Sequence, residues 1–414
     1  MVAAATVGHV LEWYDFAVYG YFAATIGEKF FSSSSEAVQL LASFAVFGVG
    51  FVARPLGAVV LGHVGDVHGR RRAFSIALIL MGAATLAIGL LPTYQDIGFG
   101  AAVALVACRL LQGFSTGGEI GGSIAYLTEN APPHKRGFVG SFQQASLALG
   151  MMLGAIVSVV LSVLLTPEAL SEWGWRVPFL LGVLMVVPGY FIRRQLADTE
   201  EFQAVKTKAA TPGKRLPIVT ALREHPMDLF RAFWLPASPA YYVLLSFLPT
   251  FLATQHFFGQ AMALAITLAL QAVFVLAMPF AGGWSDRVGR KPVMLTGYAM
   301  TGLLVYPVFL AFSTGVPALA FLAIVPMGLA LSCMFGPLAA LLTEIFPTEI
   351  RYSAISLPYN LHSAILGGFT PFVATLLIET TNSPMAPTIL VIGIAAICFV
   401  VVLSVSTNSK RGQE

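Results

Sequence analysis

One pattern occurs twice in this chain and constrains its fold more than any other feature. Gly62-His63-Val64-Gly65-Asp66-Val67-His68-Gly69-Arg70-Arg71 and Gly282-Gly283-Trp284-Ser285-Asp286-Arg287-Val288-Gly289-Arg290-Lys291 both read Gly-x-x-x-Asp-x-x-Gly-Arg-basic. Each copy lies between two long apolar runs, where glycines let helix backbones approach and the basic residues stay in water on one side of a bilayer. A second pair repeats in step. Leu127-Thr128-Glu129, with Arg136 after it, matches Leu342-Thr343-Glu344, with Arg351 after it, at an offset of 215 residues against 220 for the first pair. Offsets that differ by one short loop imply a duplicated half, and the two copies run in the same direction, as parallel repeats do.

Composition says what surrounds these loops. Hydrophobic residues make up 57% of the chain and charged residues 10%, with a mean hydropathy of +0.81, where a soluble domain carries about 25% charged residues. Apolar runs long enough for spans of about 20 residues number twelve by inspection, from one centred near Val18 to one near Ala396. The expected fold is an all-α membrane protein of twelve transmembrane helices in two six-helix repeats. The longest polar stretch, Arg193 to Arg231, separates the repeats, so the expected division is 1–194, a linker 195–227, and 228–414.

Positive charge sets the orientation. Of 23 Lys and Arg, only Lys29 and Arg176 fall in outer loops, and Arg54 and Arg109 fall inside spans. The rest occupy alternate loops and the C-terminal tail, which expects both termini in the cytoplasm. The first apolar stretch contains Glu12 and Asp15 and lacks a basic leader, so a retained span is expected rather than a cleaved signal. The basic linker has acids interleaved and its charge is explained by topology, which argues against nucleic acid as a partner. Cys108, Cys333 and Cys398 all lie in predicted spans and read as apolar filler. With no nucleophile–base set, phosphate loop or metal-ligand spacing, neither an enzyme nor a cofactor or metal is expected.

Charges inside spans mark the chemistry, because an ionisable side chain at the bilayer centre costs roughly 2.5–3.5 kcal/mol on insertion scales. Glu12, Asp15 and Tyr19 share one helix face at i, i+3 and i+7. Arg109, Gln112, Thr116 and Glu119 form a second polar stripe amid glycines. Arg54 is the evident counter-charge for Glu12 or Asp15, or else a substrate contact. Glu12, Asp15 and Glu119 against Arg54 and Arg109 leave a formal excess of one acid, a natural carrier for a coupling proton. The second half offers Tyr241, Tyr242, Gln271, Tyr359, Asn360 and His362, the last reading as a hydrogen-bonded core residue. A carboxylate suits the guanidinium fork of Arg54 or Arg109. The candidate substrate-binding set is Tyr19, Arg54, Arg109, Gln112, Gln143, Tyr359 and Asn360; the candidate proton-coupling set is Glu12, Asp15 and Glu119.

At the repeated loops the chain resembles the major facilitator superfamily of secondary transporters over essentially its whole length. Glu12-Trp13-Tyr14-Asp15-Phe16, Arg54-Pro55-Leu56-Gly57, Gln112-Gly113-Phe114-Ser115-Thr116-Gly117-Gly118-Glu119 and Trp173-Gly174-Trp175-Arg176-Val177-Pro178 resemble the metabolite:proton symporter family, whose members carry 2-oxoglutarate, citrate, shikimate, or proline and betaine. The resemblance implies proton-coupled import of a small polar metabolite by alternating access, in a lipid bilayer, the inner membrane of a bacterium, by a monomer. A carboxylate is the leading substrate class, a proline- or betaine-like zwitterion the alternative, and a non-transporting sensor the alternative of another class.

By the same resemblance, Gly62, Asp66, Gly69, Arg70, Arg71, Asp286, Gly289 and Arg290, with Glu129, Arg136, Glu344 and Arg351, are expected to gate the cytoplasmic side. Asp66 is expected at the N-terminus of the span starting near Tyr352, and Arg70 and Arg136 to exchange among Asp66 and Glu129. Three departures qualify the match. His9 stands where the family commonly has Asn. The fifth span, Leu149-Gly150-Met151-Met152-Leu153-Gly154-Ala155, lacks the proline of drug antiporters, which disfavours export. A long coiled-coil tail is not expected after Glu414.

Overall fold

The computed structural model describes residues 2–33, 35–68, 70–183, 217–347 and 350–405, and among these the regular structure is helical throughout. The first half comprises α1 (Val2–Tyr21), α2 (Ala23–Phe30), α3 (Glu36–Val52), α4 (Arg54–His68), α5 (Arg70–Leu90), α6 (Phe99–Thr116), α7 (Ile120–Glu129) and α8 (Arg136–Leu164). The second comprises α9 (Pro226–Trp234), α10 (Ser238–Tyr242), α11 (Leu248–Thr254), α12 (Gln260–Val288), α13 (Arg290–Ser313), α14 (Pro317–Phe335), α15 (Leu338–Ile345), α16 (Arg351–His362), α17 (Thr370–Thr381) and α18 (Pro387–Ser404). Nine helices among the described residues are long and apolar enough to cross a membrane, with Ser75–Leu90 a shorter tenth. The end of the expected sixth span and most of the linker lie outside the described residues.

Several spans are broken, and the sequence explains where. The second is interrupted at Ala53, just before Arg54-Pro55, because proline supplies no N–H to continue the ladder. The seventh bends at Ala237, which adopts a left-handed φ of 45°, and then runs through a π-helical turn at Val243–Phe247. Pro249 comes just after that turn and cannot donate to the carbonyl of Leu245. The freed oxygen accepts instead from Tyr21 Oη at 3.1 Å and Gln271 Nε2 at 3.0 Å. A local backbone defect thereby ties α1 and α12 together on the side opposite the repeated loops. The fourth span also departs from the continuous stripe expected of it. The helix stops after Thr116, and Gly117 to Glu119 form a turn before α7. Glu119 therefore leaves the face of Arg109 and Gln112.

Glycine sets the distance between the arginine-bearing helices. A Cβ on Gly113 would lie 1.5 Å from the carbonyl oxygen of Gly50, and one on Gly117 2.0 Å from that of Arg54. No side chain fits there, so α6 rests directly on α3 and α4 and brings Arg109 and Arg54 into one chamber.

The halves meet along α8 and α12, and where α3 and α4 pack on α16, α17 and the turn Ser363–Gly367. On the side of the repeated loops, Gly137 and Gly282 touch backbone to backbone. A Cβ on Gly137 would sit 2.5 Å from the Gly282 oxygen. Gly137→Val is therefore expected to block closure on this side. It should speed alkylation of a Ser141→Cys reporter by at least about tenfold, the equivalent of 1.4 kcal/mol; an unchanged rate would show that the glycine contact does not hold the gate.

Candidate functional site

Two arginines define the centre of the molecule, and both are fully buried. Arg109, on α6, donates to Gln112 Oε1 at 2.8 Å and to the Phe47 carbonyl at 3.4 Å. Its guanidinium lies 4.5 Å from the ring centres of Phe16 and Tyr19 and 5.1 Å from that of Phe47. Arg54, at the start of α4, lies 3.9 Å from Phe51, 4.8 Å from Phe16 and 5.5 Å from Trp13. None of its three nitrogens has a hydrogen-bond partner among the described residues. Arg54 is open to two readings, counter-charge or substrate contact, and it makes no direct ion pair with Asp15 or Glu12 among the described residues, although Glu12 lies within electrostatic reach. The guanidinium is held by aromatic faces, which attract a cation without neutralising it.

A continuous chain runs from Arg109 to the first helix. Gln112 Nε2 donates to Thr85 Oγ1 at 3.0 Å, and Thr85 Oγ1 contacts Asp15 Oδ2 in a short hydrogen bond. Thr85 also lies 2.9 Å from the carbonyl of Met81. One hydroxyl proton cannot serve both acceptors. When Met81 takes it, the proton between Thr85 and Asp15 belongs to Asp15; when Asp15 takes it, the carboxylate is bare. The same heavy-atom frame accommodates both states of Asp15. Thr85 is absent from the sequence-derived candidates because a single threonine in an Ala- and Leu-rich span is indistinguishable from filler.

The second half supplies a wall of rings. Trp13 stacks on Tyr242 at 6.0 Å and meets Tyr241 edge-on at 5.6 Å. The Trp13 indole nitrogen, both tyrosine hydroxyls and both amide atoms of Gln143 are buried without hydrogen-bond partners among the described residues. Tyr359 and Asn360 lie opposite the first half: Gln144 Nε2 donates to Tyr359 Oη at 3.5 Å, and Asn360 Nδ2 to the Gly117 carbonyl at 3.0 Å. Tyr19, expected on the same face as the acids, turns its hydroxyl to the Ser43 carbonyl at 3.1 Å. His362 Nε2 accepts from the Ser238 backbone N–H at 3.0 Å, holding the bent seventh span, as a core histidine should.

Glu12 and Glu119 form a separate cluster nearer the repeated loops. They meet His9, with one ligand atom of each residue within 4.8 Å of the others. Thus the three acids expected to act as one set occupy two places, Asp15 beside Thr85 and the two glutamates beside His9.

The buried centre around the two arginines is sealed toward both sides. Opposite the repeated loops, Gln271 Nε2 bonds Tyr21 Oη at 2.5 Å and Thr250 Oγ1 donates to the Gly20 carbonyl at 3.2 Å. Beyond that seal lies a pocket of about 210 Å³ lined by residues including Phe22, Thr25, Ser171 and Thr254. On the loop side, Asp286 accepts from the backbone N–H groups of Gly137 and Phe138, both at 2.8 Å, at the N-terminus of α8, where a helix dipole favours an acid. Arg290 bridges Asp286 at 2.6 Å and Glu344 at 3.0 Å, and Gly289, at φ 96°, makes the turn between them. Glu129 pairs with Arg351 across the halves at 2.7 Å; the expected exchange of Arg70 and Arg136 among Asp66 and Glu129 involves Asp66 and Arg70, whose side chains lie outside the described residues. The side chains of Gly62, Asp66, Arg70 and Arg71, and all of Gly69, lie outside the described residues.

The Glu129–Arg351 pair is partly exposed, so either single neutralisation is expected to cost only about 0–1 kcal/mol of stability. Its effect on gating should be larger. Glu129→Arg alone should raise reporter alkylation on the loop side, and the double exchange Glu129→Arg with Arg351→Glu should restore protection. Failure of the exchange to restore it would remove the pair from the gate.

Comparison with known proteins gives a consistent picture. A family profile described as "Sugar (and other) transporter" matches residues 1–216 and one described as "Major Facilitator Superfamily" matches residues 240–414. The proline/betaine transporter of Salmonella typhimurium is 32% identical over 99% of this chain and 84% of that protein. The citrate-proton symporter of Klebsiella pneumoniae is 37% identical over 92% and 86%, and the shikimate transporter of Escherichia coli 34% over 90% and 86%. Among solved structures, the xylose transporter XylE of E. coli, in a partially occluded inward-open conformation, superposes with a TM-score of 0.78 at 18% identity, over 97% of this chain and 96% of that one.

Proposed function

This chain belongs to the major facilitator superfamily of membrane transporters, and from that premise we propose that it imports a small organic carboxylate together with a proton. It is a proton-coupled secondary transporter, not an enzyme. The observation that carries the substrate class is Arg54, a guanidinium with no exposure and no hydrogen-bond partner among the described residues. A buried charge with no hydrogen-bonded partner costs several kcal/mol, and an anionic ligand seated on the guanidinium offsets that cost. The orphaned groups nearest Arg54 include donors, the indole of Trp13 and the hydroxyl of Tyr242, with Tyr241 packed behind them, which suits a carboxylate.

In this reading Arg54 takes the carboxylate bidentately, with Gln143, Tyr359 and Asn360 closing on it from the interface. Arg109 and Gln112 couple the site to Asp15 through Thr85. A carboxylate drawing on Arg109 loosens the chain and changes how firmly Asp15 holds its proton. Tyr19 positions Arg109 through its ring. Glu12 and Glu119 pass the proton on toward the loop side. The gate is Asp286, Gly289, Arg290 and Glu344 with Glu129 and Arg351, and, by the sequence repeat, Gly62, Asp66, Gly69, Arg70 and Arg71, with Arg136 nearby. The halves 1–194 and 228–414 rock about the site on the linker 195–227. The protein works as a monomer in a bacterial inner membrane with both termini cytoplasmic, as its basic loops favour.

One observation favours a zwitterion as second reading. The rings of Trp13, Tyr241 and Tyr242 present faces able to receive a quaternary ammonium, and relatives named for proline and betaine are among the matches. Proteoliposomes loaded with a pH dye distinguish the two. Lumen acidification driven by organic acids alone supports the carboxylate reading. Acidification by betaine or proline replaces it with the zwitterion, and accumulation of labelled substrate with no proton signal overturns the coupling.

A further inference from the structure

The pocket around His9 has a chemistry of its own. His9 and Glu12 stand one turn apart on α1, at i and i+3, so they share a face. Glu119 reaches them because the helix breaks at Gly117, and the three residues are 1%, 3% and 4% exposed. Their ligand atoms lie within 4.8 Å of one another. Two carboxylates and an imidazole gathered this closely in a low-dielectric setting favour a cation placed between them.

The state of the imidazole adds an independent observation. Ser123 Oγ donates its one proton to the Ile120 carbonyl at 2.9 Å. With the hydroxyl proton given to Ile120, the 2.8 Å bond between Ser123 Oγ and His9 Nε2 runs from the ring N–H to the hydroxyl. In neutral His9 this leaves the lone pair on Nδ1. That atom has no hydrogen-bond partner among the described residues and faces Glu12 Oε2 at 3.7 Å, lone pair toward acceptor. Such an arrangement is unfavourable on its own. It becomes favourable when a cation, a proton or a metal ion, sits on Nδ1, and a metal-binding histidine is usually held, as here, by a hydrogen bond through its other ring nitrogen. Tetrahedral zinc sets neighbouring N and O ligands roughly 3.4 Å apart, close to the 3.7 Å between His9 Nδ1 and Glu12 Oε2.

We infer that His9 Nδ1, Glu12 and Glu119 form a three-ligand site for a divalent transition-metal ion of the Zn2+ class. No spacing in the sequence announces it, because Glu119 comes from a distant helix and arrives only through the break in the fourth span. Binding does not depend on the transport reading. A consequence for transport, inhibition by the bound ion, rests on Glu12 and Glu119 passing the coupling proton as proposed above.

The test is Zn2+ binding to the purified full-length protein by isothermal titration calorimetry, with Mg2+ as the hard-cation comparison. One Zn2+ per chain is expected, with a rise in melting temperature and little response to Mg2+. His9→Asn and Glu119→Gln, on different helices, should each weaken binding by about 100-fold, and Ser123→Ala by about tenfold, in the range for loss of a supporting hydrogen bond. His225, which faces Asp228 at 3.5 Å on α9 and its approach, is the competing surface site, and His225→Ala should leave binding unchanged. Absence of Zn2+ binding and of a melting shift in the unmodified protein overturns the inference without recourse to any variant. Binding lost in His225→Ala but retained in His9→Asn overturns it equally. Inhibition of uptake is read separately, so that loss of transport coupling and loss of the metal site cannot be confused.

Discussion

Asp15→Asn abolishes uptake against a gradient while substrate exchange across the membrane persists. The expected loss of concentrative uptake is at least about 100-fold, some 2.8 kcal/mol on the tenfold scale. The reason lies in the Asp15–Thr85–Gln112–Arg109 chain. Asn can satisfy Thr85 as either donor or acceptor, so the local frame survives, but it has no proton to release. Exchange needs only the alternation of the loaded carrier, whereas net accumulation needs the proton to leave. Radiolabelled substrate in proteoliposomes separates the two by measuring counterflow beside gradient-driven uptake. Normal gradient-driven uptake in the variant would move the coupling proton away from Asp15. Thr85→Val should give an intermediate result, because it breaks the link to Gln112 and leaves the carboxyl in place.

Arg54→Met raises the melting temperature of the substrate-free protein and removes substrate binding. The two effects have one cause. Arg54 is buried with no hydrogen-bond partner among the described residues, and the contacts around its guanidinium are ring faces, with Glu12 acting on it only at a distance. Replacing buried charge with apolar volume is often stabilising by about 1–4 kcal/mol, and the rings of Phe16, Phe51 and Trp13 offer Met an apolar bed. Substrate, by contrast, loses a charge-assisted bidentate contact, for which a fall in affinity of at least about 100-fold is expected, in line with the roughly 2–5 kcal/mol cost of truncating one partner of a buried pair. Arg54→Lys should recover only part of the affinity, because an ammonium cannot form the fork. A binding titration and a melting curve on the same sample check both halves of the expectation. A variant that melts lower and still binds substrate would show that Arg54 holds the fold together and does not touch the substrate.

Much of this molecule is legible in order along the chain. The apolar runs dictate spans because backbone groups in a bilayer must bond within their own helix. The repeated glycine, acid and basic loops dictate two parallel halves, and the charges at membrane depth identify the residues that need a reason for being there. Arg109, Gln112, Asp15, Glu129, Arg351, Asp286 and Arg290 are all found where buried or interfacial polar contacts are made, and Arg54 is buried beside them. What the sequence misled about is which of them meet. Helix periodicity placed Glu119 with Arg109, which the break after Thr116 undoes; it did not foresee that Glu12 meets His9 and Glu119 while Asp15 meets Thr85, and charge counting left Arg54 between an acid and a substrate.

Tertiary structure decided these pairings for reasons no single helix contains. Backbone contact at Gly113 and Gly117 sets α6 on α3 and α4, and the break after Thr116 turns Glu119 toward His9. The aromatic side chains of two helices close around Arg54 before any carboxylate reaches it. Thr85 becomes a link only because α5 delivers it between Asp15 and Gln112. Family, number of spans and the duplicated architecture are local properties, written in hydropathy and repeated motifs. The partners of the buried charges are properties of distances between helices, set by where glycine lets backbones touch and where a broken helix redirects the chain beyond the break.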